Sequence, residues 1–387
     1  MPVPVLWITG PPGVGKSTVS WQLFTDLAAS GTRTAFADAD QLCMCYPASP
    51  DDPGRDVIRA RSAGVLIRNF QYAGARRVII NGCVNPGLGV RRDLLEQGTV
   101  LVCRLRAGHD DLVRRFSGRH PRIDGDLTDL LREARDEADR MDASAFADVR
   151  VDTTGVPTGE VARLVRDRCR DWPGFDLRPG VAHEGLADSG GPAVSQASGS
   201  GGRILLLCGP AGVGKSTIGF RLYQRCLRAG LTAGYLDLDQ IGFLRPRPDG
   251  DPHGHRLKAR NLAGIWPVYR AAGASHLVMT GPVESQAALG VYQAALPGVV
   301  ITACRLHAGP EELSRRIMTR GEGGSWPQPG DPLRGQPGSY LSRFASQAAA
   351  HAQDLEHAGL DARRVDTTGR TVGEAADLIV AATGWPA

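Results

Sequence analysis

A nine-residue stretch written twice constrains this chain more than anything else in it. Gly10-Pro-Pro-Gly-Val-Gly-Lys-Ser-Thr18 returns as Gly209-Pro-Ala-Gly-Val-Gly-Lys-Ser-Thr217. Both copies fit G-x-x-x-x-G-K-[ST], the pattern of a phosphate-binding loop. Each follows an apolar, β-prone run, Val5-Leu-Trp-Ile8 or Ile204-Leu-Leu-Leu207, and each opens a helical pattern. Such a loop needs glycines so that successive backbone N–H groups curl around one phosphate, and the helix start adds positive potential. The cofactor-binding residues are therefore Gly10, Gly13, Val14, Gly15, Lys16, Ser17 and Thr18, and Gly209, Gly212, Val213, Gly214, Lys215, Ser216 and Thr217. Lys16 and Lys215 would reach the β/γ-phosphates, and the Ser17 and Ser216 hydroxyls would ligate Mg²⁺. The chain has only three lysines, and two of them stand here. A compact, flexible point charge is what these positions require, and a planar guanidinium is a poor substitute.

The repeat extends beyond the loop. Gly10 to Gly209 is an offset of 199, which also pairs Asp38-Ala-Asp40-Gln41 with Asp237-Leu-Asp239-Gln240 and Asn81-Gly82 with Thr280-Gly281. Cys103-Arg-Leu105 pairs with Cys304-Arg-Leu306 at 201, and Arg114, Arg115 and Arg119 with Arg315, Arg316 and Arg320. Val151-Asp-Thr-Thr-Gly155 pairs with Val365-Asp-Thr-Thr-Gly369 at 214, so the second copy carries 13 extra residues, 214 minus 201, within the Gly/Pro-rich stretch Gly321–Ser339. A period of this length predicts duplicated domains rather than a solenoid. The expected boundaries are 1–172 for the first domain, 173–202 for a flexible Gly/Pro/Ser/Ala linker, and 203–387 for the second.

Within one copy, apolar strands alternate with helical patterns. Val19, Leu23, Phe24 and Leu27 recur at helical spacing, Thr34 to Asp38 reads as a second strand, and Pro47 to Gly54 as loop. Arg55 to Ala73 is helical, and Val78-Ile-Ile80 and Thr99 to Cys103 are wholly apolar strands of the kind buried on both faces. The fold class is α/β, a doubly wound parallel sheet in each domain.

The second constellation is D-x-D at the end of the second strand. Residues two apart in a strand face the same way, so Asp38 and Asp40, and likewise Asp237 and Asp239, would look into the crevice together. One carboxylate would support Mg²⁺ beside the serine, assigned to Asp38 and Asp237. The other, Asp40 or Asp239, would accept the proton of an attacking hydroxyl, and the two roles are interchangeable on sequence grounds. Taken singly, these residues are also ordinary turn or cap aspartates; their return at one distance from both loops favours the chemical role. The arginine groups read either as solvated helix faces or as a closing lid that stabilises transferring charge. Arg119 and Arg320, at the helix exits, are the lid residues. Arg59 and Arg61, and their counterparts Lys258 and Arg260, would meet an anionic substrate or face solvent. Neither Asn81 nor Thr280 is the acidic residue that a motor-type site carries at the end of the third strand.

Composition excludes several classes. A net charge of +4 over 387 residues and 6% aromatics argue against a nucleic-acid groove, which needs basic charge and stacking platforms. No run is long and apolar enough to span a bilayer, and no secretory leader is visible, so a cytoplasmic location is expected. Cys43 and Cys45 lack partners at zinc spacing and read as thiols.

On these residues the chain resembles the small-molecule kinases of the P-loop superfamily: the shikimate/gluconate kinase, adenylylsulfate kinase, chloramphenicol phosphotransferase and zeta-toxin group. It is also similar to proteins labelled AAA-family ATPase or adenylylsulfate-kinase-like. The resemblance covers both halves and not the linker. It implies a five-stranded parallel sheet in the order 2-3-1-4-5, ATP and Mg²⁺ as cofactors, and transfer of the γ-phosphoryl group to a hydroxyl of a small molecule. It further implies that the segment after Val151-Asp-Thr-Thr lies near the adenine. The alternative is a regulatory or scaffolding ATPase with no phosphorylated acceptor. Acceptor identity, oligomeric state and domain arrangement are not written in any motif.

Overall fold

The computed structural model describes residues 2–95, 99–119, 127–170, 172, 201–323 and 331–386. Residues 173–200 of the expected linker, and 324–330 of the expected insertion, lie outside the described residues. The first half of the chain forms β1 (Pro4–Thr9), α1 (Lys16–Ala29), β2 (Thr34–Asp38), β3 (Cys45–Tyr46), α2 (Asp56–Tyr72), β4 (Arg77–Asn81), β5 (Thr99–Arg106), α3 (His109–Arg119), α4 (Leu127–Asp142), β6 (Val149–Asp152) and α5 (Thr158–Arg168). The second half forms β7 (Arg203–Cys208), α6 (Lys215–Arg228), β8 (Ala233–Asp237), β9 (Leu244–Arg245), α7 (His255–Ala271), β10 (His276–Thr280), α8 (Gln286–Ala295), β11 (Val300–His307), α9 (Pro310–Gly321), α10 (Gly338–His357), β12 (Arg363–Asp366) and α11 (Val372–Thr383). No helix among the described residues is long and apolar enough to cross a membrane.

The strands form two sheets, ordered β6-β5-β1-β4-β2-β9 and β12-β11-β7-β10-β8-β3. Five strands of each run parallel, and the loop-bearing strand lies in the middle. Counted within its own half from β2 or β8, the parallel order is second, third, first, fourth, fifth. Burial on both faces explains the apolar runs: Val5, Leu6, Trp7 and Ile8 are all inaccessible, as are Ile204 to Leu207.

The expected five-stranded sheet is corrected to six strands. The sixth is antiparallel, and in each sheet it comes from the other half of the sequence. The chain accordingly divides into two compact units that are not contiguous in sequence. Unit 1 gathers Met1–Cys43, Asp52–Ala193 and Phe243–Pro252; unit 2 gathers Met44–Asp51, Val194–Gly242 and His253–Ala387. In unit 1, β9 pairs Arg245 with Thr34 and Leu244 with Ala35. In unit 2, β3 pairs Tyr46 with Ala233 and Cys45 with Gly234. The two registers are equivalent at the offset of 199. Periodicity could not reveal these arms, because two paired residues carry no period.

Packing fixes both arms. In unit 1 the Phe36 N–H donates to the Phe243 carbonyl at 2.9 Å. The Phe243 ring then closes a cluster with Trp21, Phe24 and Phe36, its centroid 5.0 Å from that of Trp21 and 5.7 Å from that of Phe36. The Arg245 guanidinium lies 5.6 Å from the Trp21 ring centre and 5.5 Å from that of Phe24, within cation–π range. In unit 2 the Tyr235 N–H donates to the Met44 carbonyl at 2.9 Å, and Met44 and Tyr46 pack on the core that contains Tyr223 and Tyr235.

Candidate functional site

Each glycine loop leaves the central strand and turns directly into a helix. Gly10 and Gly209 have φ of 149° and 138°, and a Cβ there would run into the carbonyl oxygen of Leu105 or Leu306 on the neighbouring strand. Only glycine allows that approach. α1 and α6 start at the lysines, and their caps, Gly15 and Gly214, make no side-chain hydrogen bond to the first turn. The first-turn N–H groups are therefore left to whatever enters the loop. The Lys16 ammonium donates to the carbonyls of Gly10 at 2.8 Å and Pro11 at 3.2 Å. Lys215 repeats this on Gly209 and Pro210, both at 2.9 Å. Thr18 and Thr217 are exposed in the first turn.

The two aspartates of each D-x-D do not continue the strand, and here the expectation of extended geometry is corrected. β2 ends at Asp38 and β8 at Asp237. The chain then turns, and the N–H of Asp40 or Asp239 donates back to the first carboxylate at 3.0 or 2.9 Å. This is the hydrogen bond of an Asx turn. The first aspartate is consequently buried, while the second stays partly open to solvent. Burial and the neighbouring Asp40 push the Asp38 carboxyl up to about 6, against the opposing hydrogen bond from Asn81. Burial raises Asp237 in the same direction, with Asp239 adding to it.

Each first aspartate sits with the loop serine at the end of the third parallel strand. The Ser216 hydroxyl donates to Asp237 Oδ2 at 3.1 Å, and the Thr280 hydroxyl donates to the same oxygen at 3.1 Å. In unit 1 the Asn81 amide donates to Ser17 Oγ at 3.2 Å. Asn81 and Thr280 thus orient the serine and aspartate. Their repeated place after an apolar strand is the signal of this role in the sequence, alongside the acid they lack.

Strand, glycine loop, lysine-led helix and buried aspartate have now assembled at the same end of both sheets. Both units set this glycine loop, of the P-loop pattern G-x-x-x-x-G-K-[ST], between a central parallel strand and a lysine-led helix.

Around this P-loop the second aspartates meet the helix that follows. Asp40 accepts from the Cys83 N–H at 3.1 Å and lies 3.5 Å from the Arg59 guanidinium. Asp239 is held instead by the Lys258 ammonium at 2.8 Å. Arg59 and Lys258 are buried, which removes the solvent-stripe alternative for these two, whereas Arg61 is exposed. The position of Cys83 is Pro282 in the second copy, which has no N–H to give. Asp239 thus keeps the basic partner from the following helix and lacks the backbone donor that Asp40 has.

The arginine groups resolve into distinct parts. Arg115 donates to the carbonyl of Val14 at 3.2 Å and to the hydroxyl and carbonyl of Thr153 at 3.0 and 2.7 Å. Arg316 repeats the clamp on Val213 at 2.8 Å and on Thr367 at 3.1 and 2.8 Å. These arginines tie the P-loop to the V-D-T-T turn, whose first threonines, Thr153 and Thr367, are fully buried. Arg114 and Arg315 pair with acids on their own helix and face solvent. Arg119 ends α3, and its side chain lies outside the described residues. Arg320 bonds Asp331 at 2.9 Å, across the undescribed 324–330, and its charge acts on Lys215.

Truncating the clamp strands three carbonyl or hydroxyl acceptors. Arg316→Ala is expected to lower the stability of unit 2 by about 2–3 kcal/mol, read as an earlier urea midpoint. Arg315→Ala should leave the midpoint where it is. Equal shifts for the two variants would contradict the clamp.

The two sites differ where α4 and α10 approach the lysines. Glu137 and His351 occupy matching positions at the offset of 214. Burial works against the Lys16 ammonium, but nearby Cys83, Asp40 and Glu137 together outweigh it and the pKa is raised. At Lys215 burial prevails, with Arg320 reinforcing it, and the pKa is lowered. Among the described residues no group of three or more His, Cys, Asp or Glu side chains could hold a metal ion, and the described cysteines, Cys43 and Cys45 included, form no disulfide.

No protein-family model and no curated protein matches the chain. Among solved structures it is similar to a gluconokinase from Sinorhizobium meliloti, at 16% identity over 47% of this chain and 91% of that one, with a TM-score of 0.32. It is similar to a shikimate kinase from Acinetobacter baumannii, at 17% identity over 42% and 90%, with a TM-score of 0.28. It is also similar to the APS kinase CysC of Mycobacterium tuberculosis, at 18% identity over 46% and 96%, with a TM-score of 0.26.

Proposed function

We propose that the chain is an ATP-dependent phosphotransferase that moves the γ-phosphoryl group to a hydroxyl of a small molecule, at two sites. One observation carries this reading: in both units the loop lysine, the loop serine and the D-x-D converge at one end of the sheet. The donors suit Mg²⁺. In unit 2 the Ser216 hydroxyl and an Asp237 carboxylate oxygen are 3.1 Å apart, close to the ~3 Å between adjacent positions of an octahedron with ~2.1 Å bonds. A single carboxylate with one hydroxyl fits an ion that keeps water and phosphate oxygens for its other positions. When bound, the ion would offset charge on the β- and γ-phosphates.

The protein's residues supply the rest. The P-loop N–H groups and Lys16 or Lys215 hold the phosphates, with Arg320 adding charge near Lys215; Arg119 is assigned the corresponding place in the first copy. Ser17 with Asp38, and Ser216 with Asp237, are the metal ligands. Asp40 and Asp239, more open to solvent than their buried neighbours and each held beside a basic side chain, are the bases for the acceptor hydroxyl. Their exposure is what favours this division of roles over the reverse. V-D-T-T, fixed to the P-loop by Arg115 or Arg316, borders the nucleotide's base. The acceptor enters on the side of α2 and α7. The domains are proposed as 1–172 and 203–387, each completed by its exchanged arm, and the protein as cytoplasmic.

The test is incubation with γ-labelled ATP, Mg²⁺ and a metabolite extract, followed by identification of the labelled product. Labelling should persist in Lys16→Ala and in Lys215→Ala, each at a reduced level, and vanish in the double variant. Steady phosphate release without any labelled product would replace this reading with an ATPase.

A further inference from the structure

Unit 2 holds a group of side chains that the phosphotransfer chemistry leaves unused. His255 opens α7, and Glu284 lies in the turn after β10. The His255 imidazole meets Glu284 Oε1 through Nε2 at 2.9 Å and the Tyr292 hydroxyl through Nδ1 at 2.9 Å. His253 stacks on His255, with ring centroids 5.9 Å apart, and lies 3.9 Å from the same carboxylate oxygen. His255 and Tyr292 are buried, whereas the Glu284 side chain is 31% exposed. A buried Tyr–His pair thus carries a carboxylate that solvent can reach. When the Tyr292 hydroxyl donates to Nδ1, the ring proton stays on Nε2 and is donated to Glu284. The hydrogen bond from His255 holds Glu284 below the usual carboxylate range.

This carboxylate stands beside the D-x-D. His255 and Lys258 are three residues apart on α7 and share one face of the helix, about 5–6 Å between Cβ atoms. One holds Glu284 at 2.9 Å and the other holds Asp239 at 2.8 Å, so the two carboxylates are neighbours along that face. The environment of His351 agrees. Burial and Lys215 push this imidazole down while Glu284 acts the other way, so one ring senses both groups. The two carboxylates differ in their compensation. Asp239 has Lys258, but among the described residues no lysine or arginine pairs with Glu284. Unit 1 does not repeat the arrangement. At the offset of 199 Glu284 becomes Asn85, whose side-chain oxygen accepts from the Gly87 N–H at 2.9 Å. His255 becomes Asp56, which pairs with Arg59 at 2.7 Å.

We propose that Glu284 is the acceptor-recognition residue of unit 2, positioned by His255 and Tyr292, and that it selects an acceptor with an ammonium group close to the hydroxyl it offers. An ionised carboxylate whose protein partners are imidazoles gains most from a cation, through a charge-assisted hydrogen bond. The same carboxylate repels an acceptor that presents a carboxylate or phosphate there. Asn85 supplies no such charge in unit 1, so the preference belongs to one site. The proposal deepens the phosphotransferase reading and rests on it for calling the bound molecule an acceptor.

Two small alcohols test it without phosphoryl transfer: 2-aminoethanol, which carries an ammonium group, and glycolate, which carries a carboxylate. Each is titrated into the full-length protein with ¹³C-labelled histidine, and the His255 resonance, assigned by its loss in His255→Asn, is followed by NMR. 2-Aminoethanol should move it saturably and bind about tenfold more tightly than glycolate. Glu284→Gln keeps an oxygen for the Nε2 proton and removes the charge, and it should weaken 2-aminoethanol binding about tenfold. Tyr292→Phe should weaken it about threefold when Glu284 is present and have no further effect in Glu284→Gln, the non-additivity of residues acting through one group. Equal affinity for the two probes, no saturable shift with either, or unchanged binding in Glu284→Gln would overturn the proposal. If a variant does not melt like the wild type, the selectivity of the unaltered protein between the two probes decides. The labelling assay fails separately. Selective 2-aminoethanol binding with no labelled product from the Lys16→Ala protein keeps Glu284 as a ligand contact and removes the transferase. Labelled product with probe binding indifferent to Glu284 does the reverse.

Discussion

Asp40→Ala, made in a Lys215→Ala background so that only unit 1 can act, is expected to lower phosphoryl transfer by about 10³-fold. ATP affinity should stay within about threefold of the background, because the contacts of Asp40 go to the Cys83 N–H and Arg59 and its proposed role is at the hydroxyl to be deprotonated. Truncation also leaves the buried Arg59 guanidinium with Asp56 as its remaining carboxylate, 2.7 Å away, so Asp40→Asn is the partner variant. It keeps an acceptor for the Cys83 N–H but cannot take a proton. Both variants should be inactive if Asp40 is the base. Wild-type turnover in Asp40→Asn would remove that role and pass it to another group near the acceptor, of which Glu137 is the charged neighbour with a raised pKa.

Asp38→Asn is expected to produce an inactive unit that is more stable than the original. The folded protein holds this carboxyl at about 6 rather than 3.8, a cost on the order of 3 kcal/mol once it is fully ionised. The folded-state value lies above the unfolded one. Stability is therefore complete below about pH 4, is lost as pH rises through 6, and stays reduced above it. Without nucleotide or Mg²⁺, Asp38→Asn should melt about 5 °C higher than wild type at pH 7.5, and the gap should close as pH falls toward 4. A gap that widens on acidification would show that the carboxylate is stabilised, not strained. Strain at this position is what a metal ligand would be expected to carry: a cation relieves the ionised form that burial penalises.

Much of this was legible in the residues, and for a physical reason. Phosphate loops are local: glycine spacing, lysine and serine lie within nine residues, so sequence alone displays the constellation. The parallel strands were legible because burial on both faces leaves unbroken apolar runs. What escaped notice was non-local or carried by short signals. Arg115 and Arg316 were read as lid or solvated face, but their partners lie at Val14 and Thr153, or Val213 and Thr367, far along the chain. Asn81 and Thr280 were noticed for the acid they are not. The Asx turn bent the D-x-D out of strand geometry, a competition between side chain and ladder that alternation rules ignore. The exchanged arms had no signal beyond Met44 and Phe243, two apolar residues next to turns.

Those arms bear on how such a gene can change with time. A duplicated enzyme with independent halves is free to discard one when its activity is no longer needed. Here the edge strand and the apolar plug of each unit, Phe243 in one and Met44 in the other, are encoded in the opposite half. Deleting either repeat would strip the survivor of part of its own core. Selection for foldability alone is then enough to retain both copies, and substitutions can accumulate at one set of site residues, as at Glu137 and His351, while the scaffold around them stays under constraint.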